Sequence, residues 1–203
     1  MSTTVYKTSG ASGEASKSSK RPRNADATRQ AILASALREF CRAGYTGVGV
    51  REIARGAGVT AILVNRYFGS KEGLFIAAVE AAFAEPSFVT GDLSALAESG
   101  ARELLAKTSR STAIDPFMLL LRSAGDPTAG AILRRAIERS FEAPLARALT
   151  GPDARVRASL MLALIAGLQL MRSAIGVESL RSSHERSLQR RFAGLLETLV
   201  RGE

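Results

Sequence analysis

The stretch from Val50 to Leu74 constrains the fold of this 203-residue chain more than any other segment. Its first apolar residues recur at offsets of 3, 4 and 7, which places them on one face of a short α-helix. Gly58 follows where the chain has to reverse, because glycine enters left-handed backbone conformations without a Cβ clash. Thr60 can then cap a second short helix by accepting a backbone hydrogen bond. The inward residues are Val50, Ile53, Ala54 and Ala57 in the first helix and Leu63, Val64 and Phe68 in the second.

Two further helices are predicted around this pair. Helical spacing of apolar residues begins at Asp26 or Thr28 and continues to residue 43, where Gly44 ends the helix. Ser70 caps a fourth helix over about residues 71–85. Two short helices joined by a tight turn and supported by a preceding helix form a helix-turn-helix unit, which places its second helix in the major groove of DNA.

The same residues carry a family resemblance. With Gly44, Tyr45, the run REIARGAGVT and the closing YFGSKEGLF, the segment resembles the DNA-binding domain of the TetR family of transcriptional regulators over about residues 26–85. A generic helix-turn-helix lacks the aromatic-Phe-x-Ser-Lys-Glu sequence that opens the following helix. The resemblance implies that two sets of side chains contact DNA. They are Thr60, Asn65, Tyr67 and Lys71 at the DNA backbone, and Ala61, Ile62 and Arg66 at or near the base edges.

The chain departs from the family pattern before and within the second helix. Val48 and Gly49 stand where family members usually have Thr and then Ser or Thr, so a hydroxyl that could reach a phosphate is lost, although Gly49 still suits an N-cap. Asn65 replaces the usual tyrosine, and the leading edge of the helix is apolar. A thymine methyl group is one target for such an edge. Arg66 can contact guanine or a phosphate, and Tyr67 can donate to a phosphate or pack under the turn.

Charge points in the same direction. The formal net charge is +9 and the pI is near 10.5, values typical of a protein with a polyanionic partner such as double-stranded DNA, although an arginine-rich genome would also produce them. We predict three regions: a disordered basic tail over residues 1–24, the DNA-binding domain over residues 25–85, and a helical ligand-binding and dimerisation domain over residues 86–203. The tail could reach a minor groove or be a solvated linker. Its basic residues are Lys17, Lys20, Arg21 and Arg23.

Cysteine and apolar patterns exclude several classes of protein. Cys41 is alone, so it forms no internal disulfide, and no spacing of Cys and His suggests a metal site or any cofactor. We interpret Cys41 as a small apolar filler in a reducing cytoplasm. The longest apolar run, residues 158–171, is short for a membrane span and is flanked by Arg157 and Arg172, and no signal peptide is recognised. We therefore expect a cytoplasmic protein with no membrane partner.

Beyond Pro86 the pattern remains helical, which predicts an all-α second domain and an all-α fold for the whole chain. Helices are expected over about residues 93–108, 116–124, 127–149, 153–177 and 183–201. Pro144 lies inside the third of them and should kink or split it.

The last two helices each carry an apolar stripe. Such stripes could cover an internal core, but in a small chain a second copy satisfies them more easily, as a four-helix bundle between subunits. The TetR resemblance implies the same arrangement. The residues predicted at the dimer interface are Leu160, Leu164, Leu168, Met171, Leu188, Phe192, Leu195 and Leu199.

These features predict a DNA-binding regulator that binds a palindromic operator as a homodimer. The TetR resemblance implies that it responds to a ligand: it represses transcription and is released by a small molecule. The alternative is a dimeric small-molecule-binding protein whose DNA-binding head is degenerate. Catalysis is not expected, since the one histidine, His184, has no nucleophile or metal-ligand partner by spacing. Candidate ligand contacts, which could equally be ordinary core or surface, are Phe117, Met118, Leu121, Arg122 and Phe141.

Overall fold

The structure, a computed structural model, describes residues 20–84, 115–180 and 185–202. Within those ranges the regular elements are helices, and no strand occurs. The N-terminal helices are α1 (Lys20–Ala43), α2 (Val50–Gly56), α3 (Ala61–Phe68) and α4 (Lys71–Ala82). The later helices are α5 (Pro116–Ser123), α6 (Pro127–Ile137), α7 (Ala143–Ala148), α8 (Ala154–Gln169) and α9 (Glu185–Arg201). A π-helix, Glu138–Glu142, joins α6 to α7, a second one, Leu170–Ile175, extends α8, and a 3₁₀ turn covers Glu178–Leu180.

The predicted all-α fold and the four N-terminal helices are confirmed. One boundary is wrong: α1 begins at Lys20, before the expected start at Asp26 or Thr28 and inside the stretch predicted to be disordered. Pro22 lies in the first turn of α1, where the missing N–H has no intrahelical partner to lose, and the basic residues around it are good helix formers. The helix predicted over residues 93–108, Lys17 of the tail and His184 lie outside the described residues.

The predicted effect of Pro144 takes a particular form. The helix of residues 127–148 continues past this proline, but its hydrogen-bond pattern widens to a π-helix directly before it. The Ala143 N–H donates to the Glu138 carbonyl, five residues back, and Pro144 then occupies the first turn of α7. A π-helical turn followed by a new helix start accommodates a residue that has no N–H to donate.

A first hydrophobic core holds the N-terminal helices together. It is centred on an edge-to-face pair, Phe40 and Phe75, whose ring centroids are 5.0 Å apart. The core does not stop at residue 85, because Leu119 of α5 and Leu133 of α6 are buried in it. Other fully buried members are Ile32, Ala36, Ile53, Leu74 and Ala78.

A second, smaller core joins α7, α8 and α9. Arg157 is buried beside it, and its guanidinium donates to the carbonyls of Leu199 at 2.9 Å and Val200 at 3.0 Å, and to those of Pro152 and Thr150. A cation that binds the last carbonyls of a helix satisfies groups that have no intrahelical partner. Arg157 thereby fixes the end of α9 to the start of α8. The core side chains are Leu145, Leu149, Ala158, Met161, Phe192 and Leu196.

The continuous helix Ala154–Ile175 is, by length and composition alone, able to cross a membrane. One such helix is weak evidence for a span. Arg157 lies within it and donates to backbone carbonyls of a different helix, as described above.

Candidate DNA-binding site

The support of the site begins with α2, which is fixed to α1 by a buried hydrogen bond. The Ser35 hydroxyl donates to the Ile53 carbonyl at 2.9 Å. A Cβ added at Gly56 would overlap the same hydroxyl, so the two helices approach closely at this point. At the other end of α2, the N–H of the N-cap residue Gly49 donates to Glu52 Oε2 at 2.7 Å. The sequence pattern predicted that Gly49 suits an N-cap, and this is confirmed.

The turn between α2 and α3 has the predicted glycine geometry. Gly58 has φ of +68°, in the left-handed region, and its N–H donates to the Arg55 carbonyl at 3.1 Å. The predicted role of Thr60 is only half right. Thr60 is the N-cap residue of α3, but its side chain makes no capping hydrogen bond. Its carbonyl accepts from the Val64 N–H instead, and its exposed hydroxyl remains free for a partner outside the domain.

The recognition helix α3 presents an exposed edge that is both apolar and basic. Ile62 is 80% exposed, an unusual position for a large apolar side chain, and Asn65 and Arg66 are exposed beside it. Val64 is fully buried, as predicted, while Ala61 and Tyr67 are half-buried and pack against the core. The residues predicted at base edges therefore lie on or next to one solvent-facing surface of α3.

Lys71 lies at the start of α4, where the predicted Ser70 cap is confirmed by a 3.0 Å hydrogen bond from the Gly73 N–H. The Lys71 Nζ stands 4.6 Å from the centre of the Tyr45 ring, a cation–π distance. Burial raises the pKa of the Tyr45 hydroxyl, and the charges of Glu72 and Asp126 add to the shift. A ring that remains neutral over a wide pH range therefore orients the ammonium group.

Sequence reasoning missed three contacts that shape this region. Arg29 of α1 lies over the Phe68 ring, with 5.0 Å between its Cζ and the ring centroid. The Tyr45 N–H donates to the buried hydroxyl of Ser123 in α5 at 3.0 Å. Ser35, described above, is the third. Because each contact joins residues that are far apart in sequence, the spacing of residues within one helix cannot predict it.

Two further contacts join the N-terminal helices to the later part of the chain. Gly44 has φ of +73°, and a Cβ at this position would overlap the backbone carbonyl of Arg122. Glu80 of α4 forms an ion pair at 3.3 Å with Arg139 of the first π-helix. The same neighbourhood includes Cys41, whose thiol pKa is raised to about 11 by burial first and then by the charge of Asp115. A neutral, half-buried thiol agrees with the interpretation of Cys41 as a filler.

The predicted ligand contacts differ in their exposure to solvent. Phe117 and Met118 are half-buried, whereas Leu121 and Arg122 are exposed. Phe141 packs edge-on against Phe83 at 5.1 Å between centroids. A cleft of about 350 Å³ lies nearby, and none of the five predicted residues lines it. Its lining residues are Glu80, Phe83, Ala84, Ala136, Arg139, Ser140 and Pro144.

The predicted dimer-interface residues divide into three groups by exposure. Leu160 and Leu195 are 49% and 54% exposed, and Met171 is also exposed. Phe192 is only 5% exposed because it packs into the second core of its own chain, so its side chain is not free for the partner contact expected of it. The remaining four are half-buried: Leu164, Leu168, Leu188 and Leu199.

The helices α2 and α3, joined by a tight turn and with one edge of α3 exposed, have the arrangement of helix-turn-helix DNA-binding regulators. Two family profiles match the chain: residues 32–78 match bacterial regulatory proteins of the tetR family, and residues 95–200 match the tetracyclin repressor-like C-terminal domain. The second match alone covers more than half of the chain. The protein therefore belongs to the TetR family of transcriptional regulators.

Curated relatives share a short part of the chain. The HTH-type transcriptional regulatory protein RaaS of Mycobacterium tuberculosis is 55% identical over 53 residues, which are 26% of this chain and 24% of RaaS. The HTH-type transcriptional repressor NicS of Pseudomonas putida is 38% identical over 68 residues, 34% of this chain and 32% of NicS. The matches thus span about a quarter to a third of these relatives.

Solved structures match over most of the chain. A TetR-family regulator from Streptomyces coelicolor, SCO0857, has a TM-score of 0.55 and 28% identity, covering 86% of this chain and 95% of that one. A putative TetR-family regulator from Rhodococcus sp. has a TM-score of 0.65 at 18% identity, covering 86% and 99%. The second likeness supports the fold alone.

Proposed function

We propose that the protein is a homodimeric repressor that binds a palindromic or nearly palindromic operator and is released from it by a small molecule bound in the C-terminal half. The two copies of α3 would enter successive major grooves about 34 to 36 Å apart on one face of the duplex. The observation that carries the proposal is the exposed edge of α3, held on a closed core. The regulators RaaS and NicS are similar in sequence to part of this chain, and the repressor role of NicS favours repression.

The chemistry of the α3 edge supports direct contact with bases. Ile62 is exposed enough to meet a thymine methyl group, and Arg66 carries the donors that pair with guanine or a phosphate. Thr60, Asn65, Tyr67 and Lys71 would contact the DNA backbone and fix the register of the helix. Of these, Lys71 is already oriented by the Tyr45 ring.

The apolar surface of α8 and α9 supports dimerisation. Five large apolar side chains are exposed along these helices and the π-helix after α8, more than an isolated soluble subunit ordinarily leaves in one region. Packing two such surfaces together forms a four-helix bundle and also accounts for the apolar character of Ala154–Ile175 without a membrane. A cytoplasmic location follows from this interpretation. The exposed side chains are Val156, Leu160, Met171, Ile175 and Leu195.

The contacts between α5 or α6 and the N-terminal helices supply a route for release. A ligand that moves α5 would displace the Arg122 carbonyl from Gly44 and the Ser123 hydroxyl from the Tyr45 N–H. Tyr45 in turn holds Lys71. A ligand shifts DNA affinity only by its differential affinity for the two conformations, typically about 1 to 3 kcal/mol. The predicted pocket residues Phe117, Met118, Leu121 and Arg122 all belong to α5, and Phe141 belongs to the π-helix.

The experiment is selection of duplexes from a random pool by the full-length protein, followed by fluorescence anisotropy over a range of salt concentrations. The expected product is a site with two inverted half-sites, bound with a steep salt dependence. Arg66→Ala should relax the preference at one position of each half-site, while Lys71→Ala should weaken all sequences alike. Selection of no sequence together with the absence of salt-dependent binding would overturn the proposal and favour a ligand-binding protein with a degenerate DNA-binding head.

A further inference from the structure

We propose that Arg29 is an additional DNA-backbone contact and that Phe68, at the end of the recognition helix, holds it in place. This inference rests on the DNA binding proposed above. Neither the helix-turn-helix pattern nor the family resemblance marks Arg29 as a site residue, because it lies on the supporting helix α1.

The geometry joins the two helices at this point. The Arg29 Cζ lies 5.0 Å from the centre of the Phe68 ring, and Phe68 is the last residue of α3. Phe68 is half-buried and packs against the first core, so the ring is fixed on one side. Arg29, which lies over the ring, is exposed to solvent. The ring is therefore a rigid support under a solvent-facing cation.

The position of this support relative to the DNA-facing surface follows from helix periodicity. Phe68 comes three residues after Asn65, and residues at that spacing are neighbours on the surface of a helix. Asn65 is exposed on α3. Arg29 therefore lies next to the side of α3 that carries Asn65, within the region where a duplex entering against α3 would place a phosphate strand.

Stacking on the Phe68 ring prepares the Arg29 guanidinium for contact with a DNA phosphate. Arginine has donors around the edge of a flat group, and an aromatic ring contacts its face. A stacked arginine can consequently still form a two-donor contact with phosphate oxygens, and it loses less conformational freedom on binding than a mobile one.

Hydrogen bonds and ion pairs distinguish Arg29 from Arg38 and Arg42, two other exposed arginines of α1. Arg42 is paired with Glu39 at 2.7 Å, and Arg38 donates to the Gly56 carbonyl at 3.4 Å. Among the described residues no carboxylate lies within ion-pair distance of Arg29. Its full charge remains for a polyanion.

The test compares Arg29→Gln with Arg42→Gln, since each removes one positive charge from an exposed site on the same helix. Affinity for a duplex of mixed sequence, long enough for two successive major grooves, is measured as a function of salt concentration. Arg29→Gln should reduce the slope of log K against log salt by about 0.9 for each copy, or about 1.8 for a dimer, and weaken binding about tenfold per copy. Arg42→Gln should leave slope and affinity close to wild type.

Two further variants separate phosphate contact from a purely structural contact between α1 and α3. Arg29→Lys keeps the charge and should keep most of the salt slope. Phe68→Leu keeps apolar volume but removes the stacking surface, so it should weaken binding by less than Arg29→Gln, with circular dichroism checking that the fold is intact.

An equal salt slope for Arg29→Gln and Arg42→Gln, with a wild-type protein that binds, would overturn the inference and leave the proposed function standing. A slope lost as completely in Arg29→Lys as in Arg29→Gln would overturn it also. A wild-type protein with no salt-dependent binding would overturn the proposed function and this inference with it.

Discussion

Both cores of this protein are built from helices with an apolar stripe, yet they differ in how completely the chain buries those stripes. In the N-terminal half, Ile32, Phe40, Ile53 and Phe75 are completely buried within one chain. In the C-terminal half, α8 and α9 bury a few side chains between them and leave other large apolar side chains, such as Leu160 and Leu195, exposed. An apolar stripe predicts that one face of a helix is buried. It does not predict whether that face is buried by the same chain or by a second copy of the protein.

The stripe of α9 illustrates the point residue by residue. Phe192 and Leu195 are three positions apart and look equivalent in the sequence pattern. The structure buries Phe192 against the second core and leaves Leu195 54% exposed. The helix therefore has two apolar surfaces, one completed within the chain and one that is not.

The largest expected effect is on the completed core. Phe40→Ala should lower the free energy of unfolding by about 3 to 5 kcal/mol, because it leaves a cavity beside two aromatic rings in a fully buried site. Phe117→Ala, at a half-buried position of α5, should cost clearly less. Urea denaturation of both variants measures the difference, and equal losses would contradict a core closed around Phe40.

The next effect is on the exposed apolar surface of α8 and α9. The double variant Leu160→Asp with Leu195→Asp should be monomeric and should bind the selected operator at least about a hundredfold more weakly, because two linked binding events become independent. Arg190→Gln with Arg135→Gln changes the net charge by the same two units at exposed positions and serves as the control. A double Asp variant that stays dimeric would show that another surface holds the copies together.

The third effect is on the contact between Gly44 and the Arg122 carbonyl of α5, where adding a single methyl group should lower stability. Gly44→Ala and Gly58→Ala both place a side chain at positive φ, but only Gly44 faces a backbone carbonyl, while the space around Gly58 is open. Gly58→Ala should cost about 1 kcal/mol, and Gly44→Ala about 1 to 2 kcal/mol more. Thermal unfolding measures both losses. Similar losses for the two variants would mean that α5 moves away from residue 44 with no loss of stability, which would contradict a tight contact there.

The smallest effect is a pH dependence in the second core region. The hydrogen bond from Arg155 lowers the pKa of Glu142, and the Ser159 hydroxyl, which donates at 3.0 Å, lowers it further. A lowered native pKa gives stability that is present above the unfolded value of about 4.3 and is lost as the pH falls through the native pKa. Glu142→Gln should therefore lower Tm by about 1 to 2 °C at pH 7. This loss should shrink as the pH falls below the unfolded pKa and vanish once the native carboxyl is protonated. A difference that persists at low pH would contradict this cause.

Local chemistry explains which features were predictable. Gly58, Ser70 and Gly49 act through backbone rules that depend on a few neighbouring residues, and the structure confirms their roles. The early start of α1 was missed because a tail of polar residues predicts disorder even where its helix propensity is adequate.

The remaining contacts depend on tertiary packing. Ser123 reaches Tyr45 across 78 residues, and Arg29 meets Phe68 only after α1 and α3 have packed. No periodicity within one element can predict such pairs. The same limit applies to Phe192, whose burial is decided by α8 and not by its own helix.

Sedimentation velocity of the protein, alone and with the selected operator duplex, tests the central claim most directly. The claim is that two copies, joined through the exposed apolar surface of α8 and α9, present α3 in duplicate. The expected result is a free protein of twice the 21.5 kDa chain mass and a complex with two chains, or a multiple of two, on each duplex. A 21.5 kDa species that binds the duplex as a single chain would contradict the account.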